Sequence, residues 1–288
     1  MELMTKIDIP KSKWQIEPES KILLLGSCFA DEIGKKMTKG GFHTLVNPFG
    51  TLYNPASIAA SLQRCVDEKC IDEQSEEIIQ DASGIWHSWM HHSSFSSTSC
   101  EDLVAKINLT TADVSRFLRE ADILIVTLGT SIIYRLKENG MLVANCHKQL
   151  DSLFARQQLS VAEIVDEWKT LLHALNAVNP KMKILFTVSP IRHKRDGYHT
   201  NQVSKGTLLM AVDQLGVEYF PSYEIMMDEL RDYRFYADDM VHPSEKAVEY
   251  IWQRFQDTYL NNKTKDIVAK AAKEWARSQH RTIIVDSV

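Results

Sequence analysis

Lys21-Ile22-Leu23-Leu24-Leu25-Gly26-Ser27-Cys28-Phe29-Ala30 is the stretch that decides the fold. Residues 22–25 are apolar without interruption, so both faces of the segment are greasy. That pattern belongs to a buried strand of a parallel sheet. Gly26 and Ser27 then mark a turn, and residues 31–39 carry a helical pattern. The same grammar recurs downstream. Ile123-Leu124-Ile125-Val126 runs into Thr127-Leu128-Gly129, and Ile184-Leu185-Phe186-Thr187-Val188 is closed by Ser189-Pro190. A shorter apolar run covers 217–220.

Helical spacing fills the intervals. Ile58, Leu62 and Cys65 share a stripe over 55–66, and Ile164, Trp168, Leu171 and Leu172 share one over 161–175. Strands alternating with helices imply right-handed crossovers and a three-layer, doubly wound, mostly parallel α/β sheet. Residues 132–135 and 141–144, joined across Glu138-Asn139-Gly140, read as an inserted hairpin. Residues 244–261 and 263–278 predict a helical C-terminal end, in which Trp252, Phe255 and Trp275 pack on the sheet or on another subunit. The stretch 67–100 is the least regular, within an insertion of about 67–115. It reads as a lid or substrate-facing segment, and the whole chain 1–288 as one domain with its core over about 21–260.

Composition narrows the class. The 288 residues are 44% hydrophobic and 25% charged, as in ordinary soluble globular proteins. A net charge of -5 and a pI near 6.1 argue against a polyanionic partner, so no nucleic-acid binding is expected. The short basic run Arg192-His193-Lys194-Arg195 reads as a solvated loop. The polar opening to Lys21 has no apolar h-region, and no run has the length of a membrane span. Five cysteines without a compact spacing read as reduced thiols, so a cytoplasmic location is expected.

In an open α/β sheet ligands sit beyond the carboxyl ends of the strands. Those ends here read Gly26-Ser27-Cys28, Gly129-Thr130-Ser131 and Ser189-Pro190. A serine at a strand-to-helix turn presents an exposed hydroxyl near a helix N-terminus that favours developing negative charge. A plain N-cap serine is the alternative. Asp238-Asp239-Met240-Val241-His242-Pro243 places a carboxylate three residues before a histidine. On a loop, that spacing lets the acid accept from one imidazole nitrogen while the other faces outward, the arrangement a serine nucleophile requires. An acidic surface loop with a capping histidine is the alternative. Cys28 is a competing nucleophile whose side chain one step along the turn should point elsewhere. In Trp86-His87-Ser88-Trp89-Met90-His91-His92, His87 and His91 have the spacing of metal ligands on one helix face, but no glutamate completes HExxH. A pocket lining, with His92 bonding a polar substrate, and a partly buried loop are the other readings.

The chain has no Gly-x-Ser-x-Gly elbow. With a serine after the first strand and Asp-x-x-His near the C-terminus it resembles the SGNH (GDSL-like) esterases. Within them, Gly26-Ser27-Cys28-Phe29-Ala30 spells the motif of the GSCFA family. The resemblance extends through Asn47-Pro48-Phe49-Gly50-Thr51-Leu52-Tyr53-Asn54-Pro55, Thr127-Leu128-Gly129-Thr130, Val188-Ser189-Pro190-Ile191-Arg192 and the Asp239–His242 loop, roughly Lys21 to Tyr250. It implies a flavodoxin-like hydrolase fold, Ser27 as nucleophile, Asp239 as the orienting acid and His242 as general base. It implies Ser27 and Gly50 as oxyanion donors through their backbone N–H groups. The Asn that completes the hole in SGNH enzymes is absent, and Thr130 or Ser131 stands in its place. The activity implied is cleavage of a small-molecule or carbohydrate ester, such as a sugar O-acetyl group, without metal or organic cofactor. The alternatives are an acyltransferase using the same acyl-enzyme and a catalytically weak carbohydrate-binding protein on this scaffold.

Overall fold

The computed structural model describes residues 4–285. Ten strands run in chain order: β1 (Lys21–Gly26), β2 (His43–Val46), β3 (Ile78–Gln80), β4 (Trp86–Ser88), β5 (Ile123–Leu128), β6 (Ile132–Leu136), β7 (Leu142–Val143), β8 (Phe154–Gln158), β9 (Lys183–Val188) and β10 (Glu218–Phe220). The helices are α1 (Cys28–Lys39), α2 (Pro55–Val66), α3 (Cys100–Glu120), α4 (Val161–Val178), α5 (Tyr198–Leu215), the single turn α6 (Ser222–Glu224), α7 (Glu245–Tyr259) and α8 (Asn262–Val285). Among the described residues, no helix is long and apolar enough to cross a membrane.

The central sheet has the order β10-β9-β5-β1-β2 and every pairing in it is parallel. Counted along the chain this is 2-1-3-4-5, the flavodoxin-like arrangement, whose order reverses between β1 and β5. Strand alternation divides the core in two. Leu23 and Leu25 face α2, α3, α4 and α5, whereas Ile22 and Leu24 face α1, α7 and α8. Both clusters are dry to within a few per cent, so the sheet is covered on both faces as a parallel sheet must be.

Three regions depart from the sequence reading. The hairpin β6–β7 pairs Tyr134 with Val143 and gains a third antiparallel strand, β8, whose exposed Ala155-Arg156-Gln157-Gln158 hides it from a hydrophobicity scan. The insertion contains the antiparallel pair β3–β4 and the long helix α3. Helix α5 has a polar first turn and a face interrupted by Asn201, Ser204 and Lys205, so it carries no clean apolar stripe. At the C-terminal end Trp252 and Phe255 are buried in the sheet core as expected. Trp275 is not: it is 41% exposed, with the Lys39 ammonium 4.2 Å above its ring.

Candidate active site

The strand order reverses between β1 and β5, and their ends open the crevice where such sheets bind ligands. Gly26 ends β1 with φ of +138°, and a Cβ there would lie 2.1 Å from the Thr127 carbonyl oxygen. Only glycine fits this crossing. Its N–H donates to Asn47 Oδ1, and Asn47 Nδ2 donates to Asp31 Oδ1, so the turn is locked from both sides.

Ser27 occupies the N-cap position of α1, yet its hydroxyl makes no capping bond. Ser99, Ser160 and Ser244, at the equivalent positions of α3, α4 and α7, all accept from a first-turn N–H. The Ser27 side chain is fully buried and its Oγ has no hydrogen-bond partner. The exposed hydroxyl expected from the turn is therefore corrected: the crossing at Gly26 tucks Ser27 against β5, where its Cβ approaches the open side of Gly129. Ser57, Thr111 and Thr264 also leave buried hydroxyls unpaired, so what sets Ser27 apart is its place at the carboxyl end of β1.

The expected acid and base, Asp239 and His242, sit on the loop before α7, and one carboxylate builds that loop. Asp239 Oδ1 accepts from the N–H groups of Val241 (2.8 Å) and His242 (3.0 Å), and Oδ2 lies 2.6 Å from His242 Nδ1. The hydrogen bond to the His242 ring, then those from the His242 and Val241 amides, hold the Asp239 carboxyl far below its ordinary value. Asp239 thus stays a carboxylate held against His242 Nδ1, and it makes no bond to Nε2. No hydrogen bond joins His242 to Ser27 in this structure.

His242 lines a cavity of about 400 Å³ beside the crevice. The hairpin gives it an apolar wall of Ile132, Tyr134, Val143 and Ala144. Arg192, Lys194 and Arg195 form its rim, and Thr130, Tyr53, Asn54 and Cys28 lie along its floor. The basic run read as a solvated loop is therefore part of the site. Its Arg192 guanidinium sits 4.7 Å from the Tyr198 ring and 5.3 Å from Tyr236. No residue of the 67–115 insertion lines this cavity. The insertion buttresses the hairpin from behind, where Trp89 packs with Val143 and Phe154 and its carbonyl accepts from Ala144 N–H.

A family model, that of the GSCFA family, matches residues 21–255. The chain belongs to the GSCFA family.

Among solved structures, the GSCFA chain is similar to a carbohydrate esterase family 3 protein from Talaromyces cellulolyticus. That match has 12% identity and a TM-score of 0.38, and covers 87% of this chain and 99% of that one. It is also similar to an inhibitor-bound aryl esterase from M. smegmatis, with 10% identity, 83% and 99% coverage and a TM-score of 0.36. A third is an acetyl xylan esterase from the rumen bacterium Butyrivibrio proteoclasticus, with 11% identity, 88% and 64% coverage and a TM-score of 0.37. No curated protein matches the sequence.

Within the GSCFA chain the expected oxyanion donors are placed unevenly. The Ser27 N–H donates to the Thr127 carbonyl at 3.1 Å, extending the ladder beyond β1, and the Gly50 N–H donates to Asn47 O at 2.8 Å inside its own turn. Both amides are already spent. Gly50 instead gives His92 room, since a Cβ there would fall 2.1 Å from His92 Cβ. His92 caps the short helix at Ser93–Phe95 through Nδ1, and neither residue lines the cavity. Ser131 is fully buried and commits both its N–H and its hydroxyl to Ser204 Oγ.

Thr130 differs. With both lone pairs of Ser204 Oγ taken by Ser131, the Ser204 proton is free only for Thr130 Oγ1, 3.0 Å away. Thr130 Oγ1 also accepts from Ile132 N–H, so its own proton has no partner within this network and is free to face the cavity.

Two other candidates resolve on geometry. Cys28 does line the cavity, contrary to the expectation that it points elsewhere. Burial, with Asp31 beside it, pushes its thiol up to about 11, so little nucleophilic thiolate forms near neutrality. His87 lies on β4 and His91 in the turn beyond it, not on one helix face. His87 bonds Ser96 and Asp81, and His91 Nδ1 bonds Ser88. Among the described residues no group of three or more His, Cys, Asp or Glu is arranged to hold a metal ion.

Sequence reading missed α5 and what it does here. Asn201 Oδ1 accepts from His193 N–H, Ser204 ties Thr130 and Ser131, and Lys205 Nζ donates to the carbonyls of Gly129 and Ser189, both at 2.7 Å. Lys205 is 1% exposed, and burial pushes its ammonium down to about 7. The available signal was three polar residues at i, i+3 and i+4, a single helix face.

Proposed function

We propose that this GSCFA protein is a serine esterase of the SGNH type that cleaves a short-chain ester through an acyl-enzyme on Ser27. The observation that carries the reading is the Ser27 hydroxyl, set at a helix N-cap but unused for capping and buried without a partner, at the crevice beside a cavity lined by His242, whose Nδ1 Asp239 holds. In the reaction His242 Nε2 takes the Ser27 proton and Ser27 Oγ attacks the acyl carbon. The alcohol leaves with the proton returned by His242, and a water activated by the same imidazole releases the acid. Asp239 stays ionised throughout, fixing the Nδ1–H tautomer and balancing the imidazolium. The Ser27–His242 hydrogen bond forms as substrate closes the site, as such bonds often tighten only in the complex.

The apolar hairpin wall suits a short acyl group. The cationic rim, with no carboxylate among its lining residues, suits an oxygen-rich alcohol such as a sugar. The test is hydrolysis of p-nitrophenyl acetate, butyrate and octanoate, with fluorophosphonate labelling, by wild type, Ser27→Ala and Cys28→Ala. Turnover and labelling lost only with Ser27→Ala support the reading. Full activity in Ser27→Ala ends it.

A further inference from the structure

A side chain built on Gly129 would meet three neighbours: the Tyr53 carbonyl oxygen at 2.9 Å, His193 Nε2 at 3.3 Å and Ser27 Cβ at 3.4 Å. Gly129 is thus packed too closely to carry a side chain, and Ser27 and an imidazole nitrogen both come within 3.4 Å of the point its Cβ would occupy. His193 Nε2 is buried and has no hydrogen-bond partner, which makes it and Ser27 Oγ two orphaned polar atoms beside Gly129. Elsewhere His193 is well held: its backbone N–H donates to Asn201 Oδ1 at 2.9 Å, and its ring meets Tyr53 edge-on at 5.9 Å. A buried ring nitrogen left unpaired close to a buried, unpaired hydroxyl is available to bind something that appears only during reaction.

We propose that His193, through Nε2–H, donates to the oxyanion formed at Ser27, taking with the Thr130 hydroxyl the place of the amide donors that this chain lacks. The inference rests on the Ser27 esterase reading and assigns the electrophilic half of that site. The negative charge then forms between two protein donors, His193 and Thr130, that both line the cavity.

The surroundings keep the imidazole in the form this role requires. Burial lowers its pKa to about 4, and the Lys205 ammonium and His242 push the same way, opposed by the pull of the nearby Gly129 backbone on the ring. A neutral imidazole has one N–H, donates without losing a proton, and does not compete with His242 as the base.

The experiment uses the full chain with His193→Phe, which fills the ring's space without a donor, and His193→Gln, which restores a neutral N–H. Both keep the backbone amide that Asn201 holds, and thermal melts verify folding. In His193→Phe, kcat on p-nitrophenyl acetate falls about 10²–10³-fold with KM within threefold, and fluorophosphonate labelling of Ser27 slows in parallel. His193→Gln recovers at least tenfold of the loss, and the pH midpoint of kcat does not move. A kcat within threefold of wild type in folded His193→Phe overturns the inference while leaving Ser27 intact. A His193→Gln as inactive as His193→Phe, with the pH profile displaced, overturns it in favour of His193 as base. Wild type that neither hydrolyses esters nor labels at Ser27 overturns both readings.

Discussion

Around β4 the rings of His87 and His147 stack at 4.5 Å and spend all four nitrogens: His87 on Ser96 and Asp81, His147 on Ser93 and the Ser88 carbonyl. At the cavity, His242 commits one nitrogen to Asp239, and His193 leaves Nε2 unbonded. Both regions hold histidines. They differ in whether hydrogen-bonding capacity is used up in holding the fold or kept for something absent. Saturated networks rigidify, and in the β3–β4 region they do so around the Arg64–Glu77 ion pair, where Glu77 also accepts from Ser88. The contrast predicts variants that separate catalysis from stability.

The largest effect is expected on the unsaturated side. Ser27→Ala lowers kcat by about 10⁴–10⁶-fold, and Asp239→Asn by about 10⁴-fold through loss of the tautomer, with melting temperatures close to wild type; steady-state ester hydrolysis checks both. A surviving Ser27→Ala activity breaks the comparison at once. Next, Glu77→Ala leaves the half-buried Arg64 without its partner and costs about 3 kcal/mol in urea denaturation, with turnover per folded molecule unchanged.

The third prediction joins the two regions. Burial holds His91 in the insertion and His193 at the cavity down to about 4 from an ordinary 6.5. Between those values the unfolded chain binds the extra protons, so stability rises with pH from 4 to 6.5 and these two groups add no slope above it. Each contributes a slope of at most about 1.4 kcal/mol per pH unit in that window. Urea melts at stepped pH should lose part of the slope in His91→Gln and again in His193→Phe, while only the second loses kcat. The smallest effect belongs to His92→Ala, which removes one cap and costs about 0.5 kcal/mol with kcat unaltered. A substantial kcat loss there would return His92 to the substrate side.

Legibility along the chain follows how local each signal is. The strands β1, β5 and β9 were readable because a doubly covered strand is continuously apolar, and α2 because Asn54-Pro55 supplies its cap and first turn in sequence. Strand β8 and helix α5 were not, because β8 shows solvent a polar face and α5 spends three of its inward positions on polar clamps. The Asp239–His242 contact was legible because both partners lie within one four-residue loop, whose geometry the Asp side chain itself enforces.

The sequence by itself determined the flavodoxin-like alternation, the serine at the turn after the first strand and the acid–imidazole pair, since each depends on neighbours a few residues apart. Only the tertiary structure decided that Ser27 is buried, that Gly50, Ser131 and His92 are spent elsewhere, and that His193 Nε2 stands unpaired beside Gly129. Those facts turn on which atoms of β1, β5, the 190s loop and α5 meet at the reversal of strand order. A hydrogen-bonding group is free only when every partner that could claim it has gone elsewhere, and that is a property of the packed molecule.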